Sequence, residues 1–170
     1  EMHGDALPDV YGGFGTSLRF YGVDFSIGFT YQLGGQVLDQ GYMFYMNSPA
    51  GTSTGNNYHH DLLNSWTPEN SGSNIPRFAY NDSNQAAVSD RFLTSASYLN
   101  IQNITLGYTL PKRITRKFLV ENLRIYLACD NVWYWSKRQG LDPRQAINGI
   151  TNPYYYAPIR TFSGGVTVTF

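Results

Sequence analysis

Between Val23 and Leu33 the chain alternates without a break. Val23, Phe25, Ile27, Phe29, Tyr31 and Leu33 share one parity, and Asp24, Ser26, Gly28, Thr30 and Gln32 share the other. Successive side chains of a strand point to opposite sides, so the run predicts a strand with one greasy and one polar face. Four further segments repeat the pattern. Strands are predicted over about 13–21, 23–38, 97–110, 122–135 and 160–170. In the first, Phe14, Thr16, Leu18 and Phe20 oppose Gly15, Ser17 and Arg19. The second is expected to pass Gly34-Gly35 as a glycine kink and continue to Leu38. In the third, Leu99 and Ile101 share one phase whereas Ile104, Leu106, Tyr108 and Leu110 share the other, which predicts a β-bulge near Gln102-Asn103. In the fourth, Leu123, Ile125, Leu127, Cys129, Trp133 and Trp135 form an apolar row interrupted by Asn131, opposite Arg124, Tyr126, Ala128 and Asp130. In the last, Phe162, Val166, Val168 and Phe170 oppose Thr161, Ser163, Thr167 and Thr169.

The connections alternate as regularly as the side chains. The links are short (Tyr21-Gly22), long (about 39–96), short (Pro111 to Asn122) and long (about 136–159). Loops of the longer kind are rare in compact soluble domains, whereas outer-membrane barrels pair short periplasmic turns with long extracellular loops. Charged residues make up 14% of the chain, against about one quarter in typical soluble domains. No run approaches the roughly 18 apolar residues of a membrane helix. The fold class expected is therefore all-β, an antiparallel transmembrane β-barrel with long extracellular loops at 39–96 and 136–159. Tyr108, Trp133, Trp135 and Phe170 fall at strand ends, where interfacial aromatic girdles belong, and the loop order puts Phe170 at the periplasmic rim. Five strands cannot close, because the smallest single-chain barrels have about eight and no open edge is left in lipid. The chain is thus expected to be the C-terminal piece of a longer barrel. It has no initiator Met, signal peptide or lipidation motif, so on this reading the start of the protein lies elsewhere. Two readings of other classes share some of these features: a structural or adhesive barrel such as an autotransporter translocator, and a soluble carbohydrate-binding β-sandwich.

Particular stretches carry a family resemblance. Ser97-Tyr98-Leu99-Asn100-Ile101-Gln102-Asn103-Ile104-Thr105-Leu106-Gly107-Tyr108-Thr109-Leu110-Pro111 resembles a strand motif of SusC/RagA-type TonB-dependent outer-membrane transporters. So do Leu123-Arg124-Ile125-Tyr126, Asn131-Val132-Trp133-Tyr134-Trp135-Ser136 and Gly140-Leu141-Asp142-Pro143, the last with Arg144 where the family has an acid. Upstream, Pro8 with Tyr11-Gly12-Gly13-Phe14-Gly15, and Asn64 with Trp66-Thr67-Pro68-Glu69-Asn70 and Ile75-Pro76-Arg77, match in the family's order. The resemblance implies a barrel of about 22 strands, of which this chain supplies roughly the last five. It also implies partners: the rest of the barrel and its plug, a SusD-like surface lipoprotein acting as a lid, the TonB complex reached through an N-terminal part, and outer-membrane lipid. The activity implied is uptake of oligosaccharides or oligopeptides in a Gram-negative, Bacteroidota-like outer membrane, with no enzymatic step.

Residues read for chemistry point to binding rather than catalysis. No catalytic constellation is read from the residues, and no catalytic residue is expected. His59-His60-Asp61 lacks a third spaced ligand, so no metal or cofactor is expected and a solvated loop or a packing role is preferred. Cys129 stands alone on an apolar row and reads as a small hydrophobe. The cluster Lys112-Arg113-Ile114-Thr115-Arg116-Lys117 reads as a solvated connection, and without a recognition motif no nucleic-acid partner is expected. Candidate substrate contacts are the loop rings Tyr58, Trp66, Tyr154, Tyr155 and Tyr156. Arg19, Arg124 and Asp130 are expected to face the lumen, where pairing with neighbouring wall residues is the commoner fate of such charges.

Overall fold

A computed structural model describes residues 4–47, 57–82, 85, 87–138, 140–145, 148–152, 154 and 156–170. In chain order the elements are β1 (Val10–Phe20), β2 (Val23–Leu33), β3 (Gln36–Leu38), α1 (Gln40–Met46), β4 (Leu93–Ser95), β5 (Tyr98–Thr109), α2 (Lys112–Thr115), β6 (Asn122–Ser136) and β7 (Thr161–Thr169). Five strands make one antiparallel sheet in the order β1-β2-β5-β6-β7, and β3 pairs with β4 in a second, two-stranded sheet. In the large sheet each strand lies beside the next in sequence once β3 and β4 are set aside, leaving β1 and β7 outermost.

The register assembles the apolar parities into one face. Phe25 pairs with Leu18 and Leu106, Leu106 with Leu127, and Leu127 with Gly164. Higher up, Phe29 pairs with Phe14 and Ile101, and Ile101 with Trp133. The phase switch in β5 is a bulge: between the same two rungs β2 spans Ile27 to Phe29, β5 spans Ile104 to Ile101, and β6 spans Cys129 to Trp133. Asn131 lies within that stretch of β6 with φ of 51°, a left-handed conformation that Asn tolerates better than most residues. It interrupts the apolar row because it occupies the bulge.

The predicted kink at Gly34-Gly35 is corrected. Both glycines take positive φ, 83° and 74°, which L-residues rarely adopt. The Asp9 side chain occupies the place where a Cβ on Gly34 would lie. The long strand therefore stops at Leu33 instead of running to Leu38, and the chain leaves the large sheet to form β3.

Burial is inverted between the two parts. Exposed large side chains line the apolar face of the sheet, among them Phe14, Leu18, Leu127, Trp133, Trp135 and Phe162. The buried apolar cluster Val37, Ala96 and Leu141 lies where β3 and the loops after β4 and β6 meet, and Met46 of α1 and Phe92 are 1% exposed. The predicted long loops thus hold a small folded cap rather than irregular chain. At the opposite end, α2 and a 3-10 turn at Arg116–Phe118 connect β5 to β6.

Candidate functional site

The polar face of the sheet carries one continuous belt. Arg124 on β6 reaches over β5 to Asp24 on β2, with Nε donating to Oδ1 at 2.9 Å and an Nη2 donor bonding Oδ2 in parallel. The bridge passes directly above Gly107, where a Cβ would stand 2.5 Å from both the guanidinium and the carboxylate. Only a residue without a side chain leaves that path open. Arg19 on β1 is the register partner of Asp24. On the other side, the Arg124 guanidinium lies 5.2 Å from the centroid of the Tyr126 ring, and that ring covers Gly165 on β7. Arg19, Asp24, Arg124 and Tyr126 therefore span all five strands, with glycines beneath the long side chains. A paired fork of this geometry fixes both partners more firmly than a single contact does.

Above the belt, Asn103 covers Gly28 and the Asn100 amide donates to the Thr30 hydroxyl at 3.1 Å. Asp130 shares the rung of Gly28 and Asn103 and pairs with Thr161. Near the top of β6, the Arg144 guanidinium grips Asp142 through Nε–Oδ1 at 2.8 Å and Nη2–Oδ2 at 2.6 Å, and lies 5.1 Å from the Tyr134 ring centroid. A basic residue at 144 thus neutralises its neighbouring acid. A cleft of about 630 Å³ opens here, with Tyr134, Lys137, Arg144 and Arg160 among its lining residues.

The cap is tied by a second network. Asp39 caps α1 by accepting from the Tyr42 backbone N–H at 2.9 Å, and it also accepts from Arg138 Nη1 at 3.1 Å. The Arg138 guanidinium sits 4.1 Å over the Tyr42 ring. The Tyr42 hydroxyl donates to Asp61 at 2.8 Å, which holds the Asp61 carboxyl below its ordinary range. Burial, with help from that hydrogen bond, raises the Tyr42 phenol. Thr151 completes the tie: its N–H donates to Leu38 O at 3.0 Å, while its hydroxyl accepts from Gln40 N at 3.0 Å. Residues some 100 positions apart in sequence therefore form one unit.

The structure distributes the residues singled out from the sequence. Arg19, Arg124 and Asp130 all lie on the polar face. Tyr108, Trp133 and Trp135 lie on the apolar face and are 42%, 50% and 53% exposed; Phe170, just past β7, is 88% exposed. Tyr58 packs edge-on against Phe78 at 5.4 Å, and the backbone N–H of Trp66 donates to Ile75 O at 2.8 Å. Tyr154 and Tyr156 are exposed, and Tyr155 lies outside the described residues. None of the described rings in this group lines the cleft beside β6. His59 accepts from Asp61 N–H at 3.1 Å and packs edge-on against Tyr42. Among the described residues no three His, Cys, Asp or Glu side chains gather to hold a metal. Asp24, Tyr42, Arg138 and Tyr134 escaped the sequence reading. Asp24 had a signal in its parity, but its partner lies two strands away.

A sheet with one apolar, exposed face and one polar, internally paired face has the pattern of a membrane β-barrel wall. Comparison with known proteins shows which barrels the chain is similar to. No protein-family model matches the chain. It is 27% identical over 180 aligned positions to TonB-dependent receptor P3 of Formosa agariphila, covering 100% of this chain and 17% of that protein. It is 28% identical over 164 positions to TonB-dependent receptor SusC of Bacteroides thetaiotaomicron, covering 95% of this chain and 15% of that protein. The chain therefore spans about a sixth of the length of these curated relatives. Among solved structures, the RagAB peptide importer in its closed-closed state superposes with a TM-score of 0.82 at 23% identity, covering 99% of this chain and 18% of that one. These likenesses bear out the resemblance carried by the motifs: the chain is similar to TonB-dependent receptors of the SusC/RagA type.

Proposed function

We propose that this chain forms part of the wall of an outer-membrane importer. The whole protein would take up oligosaccharides or oligopeptides beneath a surface lipoprotein lid, driven through TonB. The observation that carries the reading is the five-stranded sheet with one continuous apolar, exposed face and one paired polar face. On this reading the apolar face meets lipid. The belt of Arg19, Asp24, Arg124 and Tyr126, with Asp130 above it, faces the lumen and the plug. Tyr108 and Phe170 mark the periplasmic girdle, and Trp133 and Trp135 the outer one. From Leu99 to Tyr108 the strand covers nine residue steps, about 30 Å at 3.3 Å each, and a tilt of about 40° brings this close to the roughly 25 Å apolar band of such barrels. The cap then lies on the extracellular side, where Tyr58, Trp66, Tyr154, Tyr155 and Tyr156 remain the proposed substrate contacts. The pairing of Arg124, Arg138 and Arg144 with Asp24, Asp39 and Asp142 supports recognition rather than bond-making chemistry.

The test is uptake of labelled oligosaccharide and oligopeptide pools by cells with and without the gene, each with and without a protonophore. Loss of uptake in both the deletion and the uncoupled cells is expected for one pool. Uptake that survives the protonophore would favour a passive or structural barrel, and recovery of monodisperse protein without detergent would favour a soluble sandwich.

A further inference from the structure

The short turn between β5 and β6 has a composition that the importer reading leaves unused. Lys112, Arg113, Arg116 and Lys117 are gathered on α2 and the 3-10 turn that follows it. Among the described residues none of the four forms an ion pair with a carboxylate. Glu121 is the only acid between Leu110 and Asn122. Interleaved with the cations are apolar side chains left in the open: Ile114 is 46% exposed, Phe118 72% and Leu119 88%. Leu119 adopts φ of 57°, a costly conformation for a non-glycine residue. The turn is nevertheless anchored, because Thr115 and Val120 are buried and joined by a hydrogen bond from Val120 N to Thr115 O at 3.2 Å. The turn therefore has an inner side that packs and an outer side that is cationic and greasy together.

The surroundings extend that surface. At the same end of the sheet Phe20, Tyr21, Tyr108 and Phe170 are all exposed. Phe20 pairs with Val23 and Val23 with Tyr108. This rim closes the apolar face, and the cations begin where it ends. Solvent alone would leave Phe118 and Leu119 without any compensating contact, and a nucleic acid would leave them equally unmet. A bilayer surface meets both needs: acyl chains for the apolar side chains and phosphates for the cations.

We propose that the 112–119 turn is a docking surface for anionic phospholipid headgroups in the leaflet at the turn end of the sheet, with Phe118 and Leu119 inserted beside the bound headgroup. The inference rests on the membrane-barrel reading above. Four unpaired cations beside a negatively charged bilayer each contribute measurably, about a fivefold change in binding for one Lys or Arg.

The test uses the full-length protein in nanodiscs containing phosphatidylcholine and phosphatidylglycerol, extracted gently, with retained lipids counted by native mass spectrometry. Wild type is expected to keep phosphatidylglycerol over phosphatidylcholine by about tenfold or more, with the preference falling as salt is raised. Replacing Lys112, Arg113, Arg116 and Lys117 by Gln is expected to abolish the preference, while the charge-conserving Arg113→Lys, Arg116→Lys variant keeps it and controls for folding. Phe118→Ser with Leu119→Ser is expected to weaken retention of either lipid. Equal retention by wild type and the Gln variant, or equal protection by inorganic phosphate alone, would overturn the proposal. A protein that never enters nanodiscs would instead overturn the barrel reading, so the two failures are distinct.

Discussion

The wall and the cap are built from the same chain by opposite rules. In the wall the large apolar side chains are exposed and the order comes from backbone ladders running across five strands. In the cap, β3, β4 and α1 surround a small conventional interior of Val37, Met46, Phe92, Ala96 and Leu141. The contrast teaches where each part gets its stability. The cap can hold itself by removing its own surface from water, whereas the wall needs an apolar medium outside it. The cap's polar ties, Asp39 to Arg138 and Tyr42 to Asp61, then add direction to a unit that burial already holds together.

That contrast can be broken at four places. Phe92→Ala should have the largest effect, about 3–5 kcal/mol, and should act on the cap alone. Hydrogen exchange should speed in 36–46 and 57–64 while β5 and β6 stay protected. Next, Ile27→Arg on the apolar face should cost about 2–4 kcal/mol in a folding titration into bilayers, while Ser26→Arg on the polar face should cost far less. Equal costs at the two positions would mean that the faces are misassigned. Arg138→Ala removes a charged hydrogen-bond partner from nearly buried Asp39 and should cost about 1.5–3 kcal/mol, read as faster proteolysis of both long loops together. If only one loop becomes sensitive, the tie between them is not what holds the cap.

The smallest effect concerns pH. Asp61 ionises more readily in the folded cap than in the unfolded chain, because the Tyr42 hydroxyl donates to it. Its contribution is therefore complete above the unfolded value, near 4. It is lost as pH falls through the lower native value. Exchange at residues 57–64 should rise below about pH 4, and Tyr42→Phe should remove most of that rise.

The wall was largely legible because period-two alternation is a local property. Leu99 and Ile101 against Ile104 and Leu106 placed the bulge to within a residue or so of Gln102. The break at Gly34-Gly35 was not legible, since glycine permits a kink and an exit alike and the choice rests on Asp9 and on β4. The cap was invisible for a related reason. β3 and β4 are three residues each, too short to show a period, and they meet across more than fifty intervening positions. In the polar belt, Arg124 was legible as a face residue. Its pairing with Asp24 depends on Gly107 leaving a gap between them, which no pattern along a single strand reveals.

The bulge at Gln102 has a consequence for how such a chain can change length. Between the same two rungs, β2, β5 and β6 advance by two, three and four residues. Removing Gln102 would only flatten the bulge and leave Ile101 opposite Phe29, whereas removing Asn100 from the regular part of β5 would turn Leu99 to the aqueous side and lose the bond to Thr30. Side-chain parity in the wall therefore behaves like a reading frame. The loops can gain or lose residues singly, whereas the strands can do so only at a bulge or in compensated steps.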